Sequence, residues 1–369
     1  MKKEILRAYK FRIYPDAEQK DNLARTFGSS RYVFNWALDL KDQSYKEGVK
    51  LNAGQISAAL TQLKKTEEFS WLNEVSSVCL QQSLMNLDVA YKNFFKCQAK
   101  HPNFKKRTNK QSARYVSSAF TFKDGKLKLA KHKKHLKMKV TRIITGEVSS
   151  VTVSKTPDNK YYASLLVKEQ YKPKSKTAKQ LGIDLGIKDF ATFSDGTKVA
   201  NPKHLLKSLK KMKRLQRQLS RKVKGSNNRD KARIKVARLH SRIANQRFDF
   251  LHKLSTQIVN ENQVICVEDL EIKEMMKTKH IAKLVGSLGL NQFLNMLKYK
   301  SEWNEREFVQ IDKWFPSSKT CFECGTINKD LTLKDRDWKC SCGAIIDRDI
   351  NAAKNILKEG LLVLHGNSK

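Results

Sequence analysis

Residues 181–196, LGIDLGIKDFATFSDG, decide the fold. An apolar run carrying a single acid reads as a buried-type strand, Gly186 as a tight turn, and the run ending at Asp195-Gly196 as a second strand. Asp184 therefore stands on a strand that is otherwise apolar. An unpaired ionised carboxylate is costly in such a place, and it persists when a cation compensates it.

Working outward, NQVICVEDL (262–270) is another buried-type strand that ends in carboxylates at Glu268 and Asp269. A helix is expected over about 288–305, then a strand in EFVQIDKWFPSSKTC (307–321), and a closing helix in DRDINAAKNILKEG (347–360). Residues 201–250 read as helical and carry 17 Lys and Arg against 2 Asp, a local net of +15. Helices so charged are expected not to pack on each other without a neutralising partner, and a run of this length favours phosphate contact.

The first half reads as β, then α, then β. AYKFRIYP (8–15) alternates and ends in Pro15, with Asp16 placed as a helix cap. Residues 17–48 and 76–100 set apolar residues at three- and four-residue intervals, and most of their aromatics (Phe27, Tyr32, Phe34, Trp36, Phe94) are assigned to a core. From about 113 to 170 the pattern alternates again, as in a twisted sheet or small barrel. This order fits a helical insertion within a β domain. The Lys-rich YKPKSKTAKQ (171–180), with Pro173, marks the main domain junction.

A chain of 369 residues has length for two or three domains. Its 74 Lys and Arg against 36 Asp and Glu, a formal charge of +38, point to a polyanionic partner rather than a small-molecule substrate. A peripheral membrane protein would concentrate such charge beside an amphipathic anchor, whereas here it is spread along the chain. The N-terminus lacks an apolar run of signal-peptide length, and no stretch approaches the roughly 18 apolar residues of a membrane span. The expectation is a cytoplasmic protein with no membrane partner.

In a reducing compartment, seven cysteines read as thiols or metal ligands rather than disulfides. Cys79, Cys97 and Cys266 are expected as buried filler. Cys321, Cys324, Cys340 and Cys342 form C-x2-C-x15-C-x-C, the two close pairs that a tetrahedral, structural Zn2+ requires. The second pair is one residue tighter than the commoner spacing. HKKH (132–135) has two polar residues between its histidines and is expected to be solvated.

Asp184, Glu268 and Asp349 each read, taken alone, as capping or surface residues. Together they suggest a divalent-metal site. Two Mg2+ ions held by carboxylates, with substrate phosphate completing the shell, suit phosphodiester hydrolysis.

Nearly the whole chain resembles the TnpB proteins of bacterial insertion sequences, relatives of the type V CRISPR effector nucleases. The carriers are YKFRIYP, RYVFNWAL, LQQSLMNLDVAYKNFF, FKKR, GIDLGIKDFATFSDG, RIANQRFDFLHKLS, VEDL, and FPSSKTC-x2-CG through DRDINAAKNI. The resemblance implies an α/β multidomain fold. Residues 1–172 would form a β-barrel wedge with a helical recognition insertion (helices about 16–110). Residues 173–369 would form an RNase H-like RuvC nuclease domain, with a basic helical insertion at about 201–255 and a zinc ribbon at about 316–345.

The family's catalytic acids map onto Asp184, Glu268 and Asp349. The D-x-N-A-A context favours Asp349 over Asp347, and the ribbon would anchor the loop that delivers it. The resemblance also implies a guide RNA from the transposon right end, a double-stranded DNA target beside a short motif, and a monomer with one RNA. Gln81 and Thr121 match positions near that DNA, and Arg242 and Arg247 are candidates for phosphate. An RNA-guided repressor without cleavage is the alternative, against which the three intact acids argue. A transposase is disfavoured, since no His-hydrophobe-His motif accompanies a tyrosine.

Overall fold

Tyr9, Phe11 and Ile13 alternate with Lys10, Arg12 and Tyr14, which gives a strand one apolar face. In the computed structural model that strand, β1 (Lys3–Tyr14), buries the first three. The structure describes residues 2–108, 110–332 and 335–366, with backbone alone at 279 and 280. The chain divides into two compact units, one of Glu4–Gln170 and one of Tyr171–Lys369 that also includes Met1–Lys3.

In the first unit β1 is followed by α1 (Ala17–Lys46), α2 (Ala53–Leu63) and α3 (Ser77–Phe95). Asp16 starts α1 by accepting the Gln19 N–H while the Gln19 side chain accepts the Asp16 N–H, a reciprocal capping box. Six strands follow: β2 (Gln111–Val116), β3 (Phe120–Lys123), β4 (Lys126–Leu129), β5 (Lys137–Lys139), β6 (Glu147–Lys155) and β7 (Tyr161–Tyr171). Five of the unit's strands form one sheet in the order β2-β6-β7-β1-β5, and β3 pairs with β4. Phe27 of α1 and Cys79 of α3 join the sheet's buried residues, while Val33, Phe34, Leu60 and Leu87 form a second core among the helices.

Two expectations fail here. Cys97 is exposed, at a left-handed residue just past α3 (φ 55), so it is not buried filler. His132 is buried, not solvated, because the β4–β5 connection turns its ring inward while His135 stays exposed. Burial pushes the His132 imidazole below its ordinary value.

The second unit contains β8 (Gln180–Leu185), β9 (Asp189–Phe193), β10 (Lys198–Ala200), α4 (His204–Ser220), α5 (Asn227–Glu261), β11 (Val264–Glu268), α6 (Ile272–Met275), α7 (Lys279–Leu288), α8 (Leu290–Asn304), β12 (Glu307–Ile311), β13 (Asp337–Lys339), β14 (Ile345–Asp347) and α9 (Arg348–Gly366). Its sheet runs β10-β9-β8-β11-β12. β8, β11 and β12 are parallel neighbours, and β9 and β10 continue the sheet antiparallel. Both faces of β11 are covered: Ile265 and Val267 pack with Leu251 and Ile258 of α5 and with Phe293 and Leu297 of α8, while Val264 and Cys266 pack with Ile356 of α9. Two-sided burial is why this strand reads as a continuous apolar run.

The basic helices do pack on each other, contrary to expectation. Met212 and Leu215 of α4 meet Val236, Leu239 and Ile243 of α5 in a narrow apolar seam. The lysine and arginine stems can splay from that seam and keep their charges in water. Among the described residues no helix is long and apolar enough to cross a membrane.

Candidate active site and metal centre

The parallel register sets the first two acids at one level. Ile183 faces Val267 across β8 and β11, so Asp184 and Glu268 occupy matching places at the carboxyl ends of adjacent strands. Loops and side chains at that end of a parallel sheet are where such folds place ligands. The third acid arrives from above. A Cβ at Gly182 would lie 2.1 Å from the Ala353 carbonyl oxygen, so only glycine lets α9 lie directly on β8. Asp349 precedes Ala353 by one helical turn on the same face, which carries it over Asp184. The Gly-x-Asp pattern thus joins the reason for the close approach to the acid beneath it.

The electrostatics record this convergence. The Asp184 carboxyl is pushed up to about 7, first by burial and then by the negative charges of Asp349 and Glu268, with Arg348 and Arg336 opposing. Burial also raises Glu268. Asp349 is held by Arg336, whose Nη1 lies 3.3 Å from both carboxylate oxygens, and by Arg348 at 3.6 Å. Three carboxylates, two of them burdened by burial, form a hard-oxygen donor set suited to a divalent cation such as Mg2+. Their oxygens are more open than a closed ligand cage: among the described residues, only the four cysteines bring all their ligand atoms within 4.8 Å of one another.

Asp347, two residues earlier, has a different task. Its Oδ1 accepts the backbone N–H groups of Asp349 and Ile350, both at 3.0 Å, which makes it the cap of α9. Its Oδ2 accepts from Lys198 Nζ. Burial opposes its ionisation, but Lys198 and the two N–H groups outweigh that and hold the carboxyl below its usual range.

The four cysteines lie between β12 and α9. Cys321 Sγ stands 3.9 Å from Cys342 Sγ, and Cys324 Sγ 3.6 Å from Cys340 Sγ. A tetrahedral ion with Zn–S bonds of about 2.3 Å has ligand edges of about 3.8 Å. The thiols therefore fit Zn2+, and all four Sγ atoms lie within 4.8 Å of one another. Cys321 and Cys340 are buried and pack with Leu331, Trp338 and Ile346.

This small lobe is tied to the helix that carries Asp349. The Asn351 side chain accepts the Phe322 N–H at 2.9 Å and donates to Thr320 O at 2.7 Å. The Asn355 amide donates to Ser317 O and Thr320 O at 2.8 and 2.6 Å. Both asparagines are almost fully buried, so the N-A-A-x-N motif clamps the loop entering the cysteines. β14 then runs without a break into α9, and Arg348 donates to Thr332 O and Asp335 O.

The remaining candidates are dispersed. Gln81 is exposed on α3 and Thr121 is exposed on β3, opposite Lys128. Arg242 is exposed on α5. Arg247 instead donates to Gly286 O and Ser287 O, tying α5 to the end of α7. Arg336 escaped sequence reasoning because it lies in a polar loop where nothing local distinguishes it from its neighbours.

Three family profiles match the chain: "Probable transposase" over residues 151–279, "Cas12f1-like, TNB domain" over 291–356 and a "Helix-turn-helix domain" over 1–50. A protein of Streptomyces pristinaespiralis named "Putative RNA-guided DNA endonuclease" is 45% identical over 98% of this chain and 91% of its own length. InsQ of Escherichia coli K12, named in the same way, is 33% identical over 97% of the chain and 93% of its own length. The TnpB-like protein L79 of Acanthamoeba polyphaga mimivirus is 25% identical over 95% of the chain and 73% of its own length. Among solved structures, a chain of the Cas12f1–sgRNA–target DNA complex has the same overall fold, with a TM-score of 0.59 at 14% identity, covering 96% of this chain and 98% of that one.

Proposed function

The chain belongs to the TnpB family, and we propose that it is an RNA-guided, Mg2+-dependent endonuclease that cuts double-stranded DNA beside a short transposon-adjacent motif and so supports maintenance of its transposon. The observation that carries this reading is the meeting of three acids: Asp184 and Glu268 stand at the ends of adjacent parallel strands, and the close approach of α9 at Gly182 carries Asp349 over Asp184. An Asp184 carboxyl raised by burial and by the two other acids, where two strand ends meet the start of a helix, fits a site of chemistry.

In this reading residues 173–369 are the RuvC-like nuclease domain, with its basic insertion and zinc ribbon, and residues 1–172 are the wedge with its recognition helices. Asp184, Glu268 and Asp349 would hold two Mg2+ ions, which supply water activation and stabilisation of the leaving oxygen. Asp347 fixes the first turn of α9 and thereby the direction of Asp349. Arg336 and Arg348 offset the carboxylate charge at Asp349, and Arg336, the more exposed of the two, would pair with substrate phosphate. The cysteines hold one Zn2+ that secures the loop before α9.

The partners are a guide RNA from the transposon right end and target DNA, bound by a monomer with one RNA in the bacterial cytoplasm. Net charge of +38 suits that load of phosphate. Gln81 and Thr121 would face the adjacent motif, Gln81 with an amide able to pair with adenine. Arg242 would take phosphate, and so would Arg247 if its carbonyl contacts exchange.

The test is to load the protein with RNA from its transposon end and supply matched plasmid with randomised flanks and Mg2+. Flank-dependent cleavage that Asp184→Ala abolishes, with target binding retained, is the expected result. Flank-dependent binding without cleavage by the unaltered protein would replace this reading with an RNA-guided repressor.

A further inference from the structure

Strand β12 ends beside the acids. Glu268 faces Ile311 across the parallel pair, and the Asp269 N–H donates to Ile311 O at 3.2 Å. The chain then makes a tight turn in which the Phe315 N–H donates to Asp312 O at 3.2 Å and the Trp314 N–H to Asp312 Oδ1 at 2.7 Å. Phe315 packs inward against the cluster that holds Ile311 and Ile356, and this anchors the turn. Trp314 is left 78% exposed, whereas Trp338 is only 9% exposed. Lys313 stands over its ring, with Nζ 4.9 Å from the centroid, and is itself paired with Glu271.

A large apolar ring left in water gives up the stabilisation that burial would bring. Single exposed apolar residues are ordinary, but this one is presented by a turn whose backbone is fixed by a side-chain cap, three residues past the position facing Glu268. We propose that Trp314 is a stacking platform for an unpaired nucleobase of the DNA strand delivered to Asp184, Glu268 and Asp349. This rests on the nuclease reading and extends it to how the strand is held. The ligand is a base rather than a base pair, because in a duplex both faces of each base are already stacked. The platform accepts any base, since every base has a π-face, and so leaves sequence choice to the guide.

The test uses the RNA-loaded protein carrying Asp184→Ala and a matched target duplex with 2-aminopurine stepped along each strand around the cut. One position is expected where the probe is quenched, where Trp314→Ala restores its fluorescence, and where Trp314→Phe keeps most of the quenching. With the acids intact, Trp314→Ala is expected to raise KM for a short single strand about 5- to 50-fold and leave kcat within about twofold. Quenching that is the same in Trp314→Ala at every position overturns the proposal. So does a fall in kcat with KM and quenching unchanged, which would assign the ring to the loop's structure. Failure of the nuclease reading is seen separately, as no cleavage by the protein with Trp314 and all three acids intact.

Discussion

Asp184→Asn removes the charge that the fold disfavours and keeps the side chain's shape. In Mg2+-free protein the Asp184 carboxyl is pushed from 3.8 up to about 7, chiefly by burial. Between about pH 4 and pH 7 the folded protein therefore holds a proton that the unfolded chain has lost. Stability must then fall as pH rises through this window, since the folded state binds more protons there. At 1.36 kcal/mol per pKa unit, ionising the folded carboxyl costs at most about 4 kcal/mol above pH 7. Solvent reaching the half-buried side chain reduces this to about 2–4 kcal/mol.

The amide carries no such cost. At pH 8, without Mg2+ and with zinc retained, Asp184→Asn is expected to raise the melting temperature by roughly 5–10 °C, and at pH 4 by almost nothing. Adding Mg2+ should stabilise the unaltered protein and leave the variant unmoved. Thermal unfolding followed by circular dichroism at the two pH values checks this. A variant that melts no higher than its parent at pH 8, or a gain equal at both pH values, would refute the reasoning.

Gly182→Ala places a methyl group against the Ala353 carbonyl oxygen, which no side-chain motion relieves. It is expected to cost about 3 kcal/mol or more and to lift α9 from β8, seen as lost cleavage together with a lower denaturant midpoint. Cys324→Ser breaks the thiol set, so zinc measured per chain should fall from one to near zero and soluble yield should drop. Asn355→Ala leaves the Ser317 carbonyl without its 2.8 Å donor and is expected to cost about 1–3 kcal/mol, speeding zinc extraction by a chelator while α9 remains folded. DNA binding by the RNA-loaded protein should weaken steeply between 50 and 200 mM salt, with a log–log slope of several units in a filter-binding titration; a flat response would contradict phosphate contact.

The elements were largely legible because their signals are local. Alternation in β1 and in β6, two-sided apolarity in β8 and β11, and Asp16 as a cap are properties of near neighbours in the chain. The cysteine spacing is equally local: two short loops bring their thiols together wherever the rest of the chain goes. By contrast, α4 and α5 looked too basic to associate, because their Met212–Leu239–Ile243 seam is narrow and only meeting helices reveal it. Cys97 and His132 were misplaced because side-chain burial just past an element's end depends on what the turn packs against.

Asp347 and Asp349 show where the sequence stops. Each is an acid beside Arg348, and apart from the family resemblance that favoured Asp349, local chemistry offers both the same choices. Composition and periodicity determined the strands, the helices, the thiol cluster and the three acidic segments. Tertiary structure decided that Asp347 turns back onto the N–H groups of its own helix while Asp349 faces Asp184 and Arg336. The physical reason is that capping requires only the next turn of chain, whereas the environment of Asp349 is made by β8, by α9 lying close on Gly182, and by the Arg336 loop, which meet only in the folded protein.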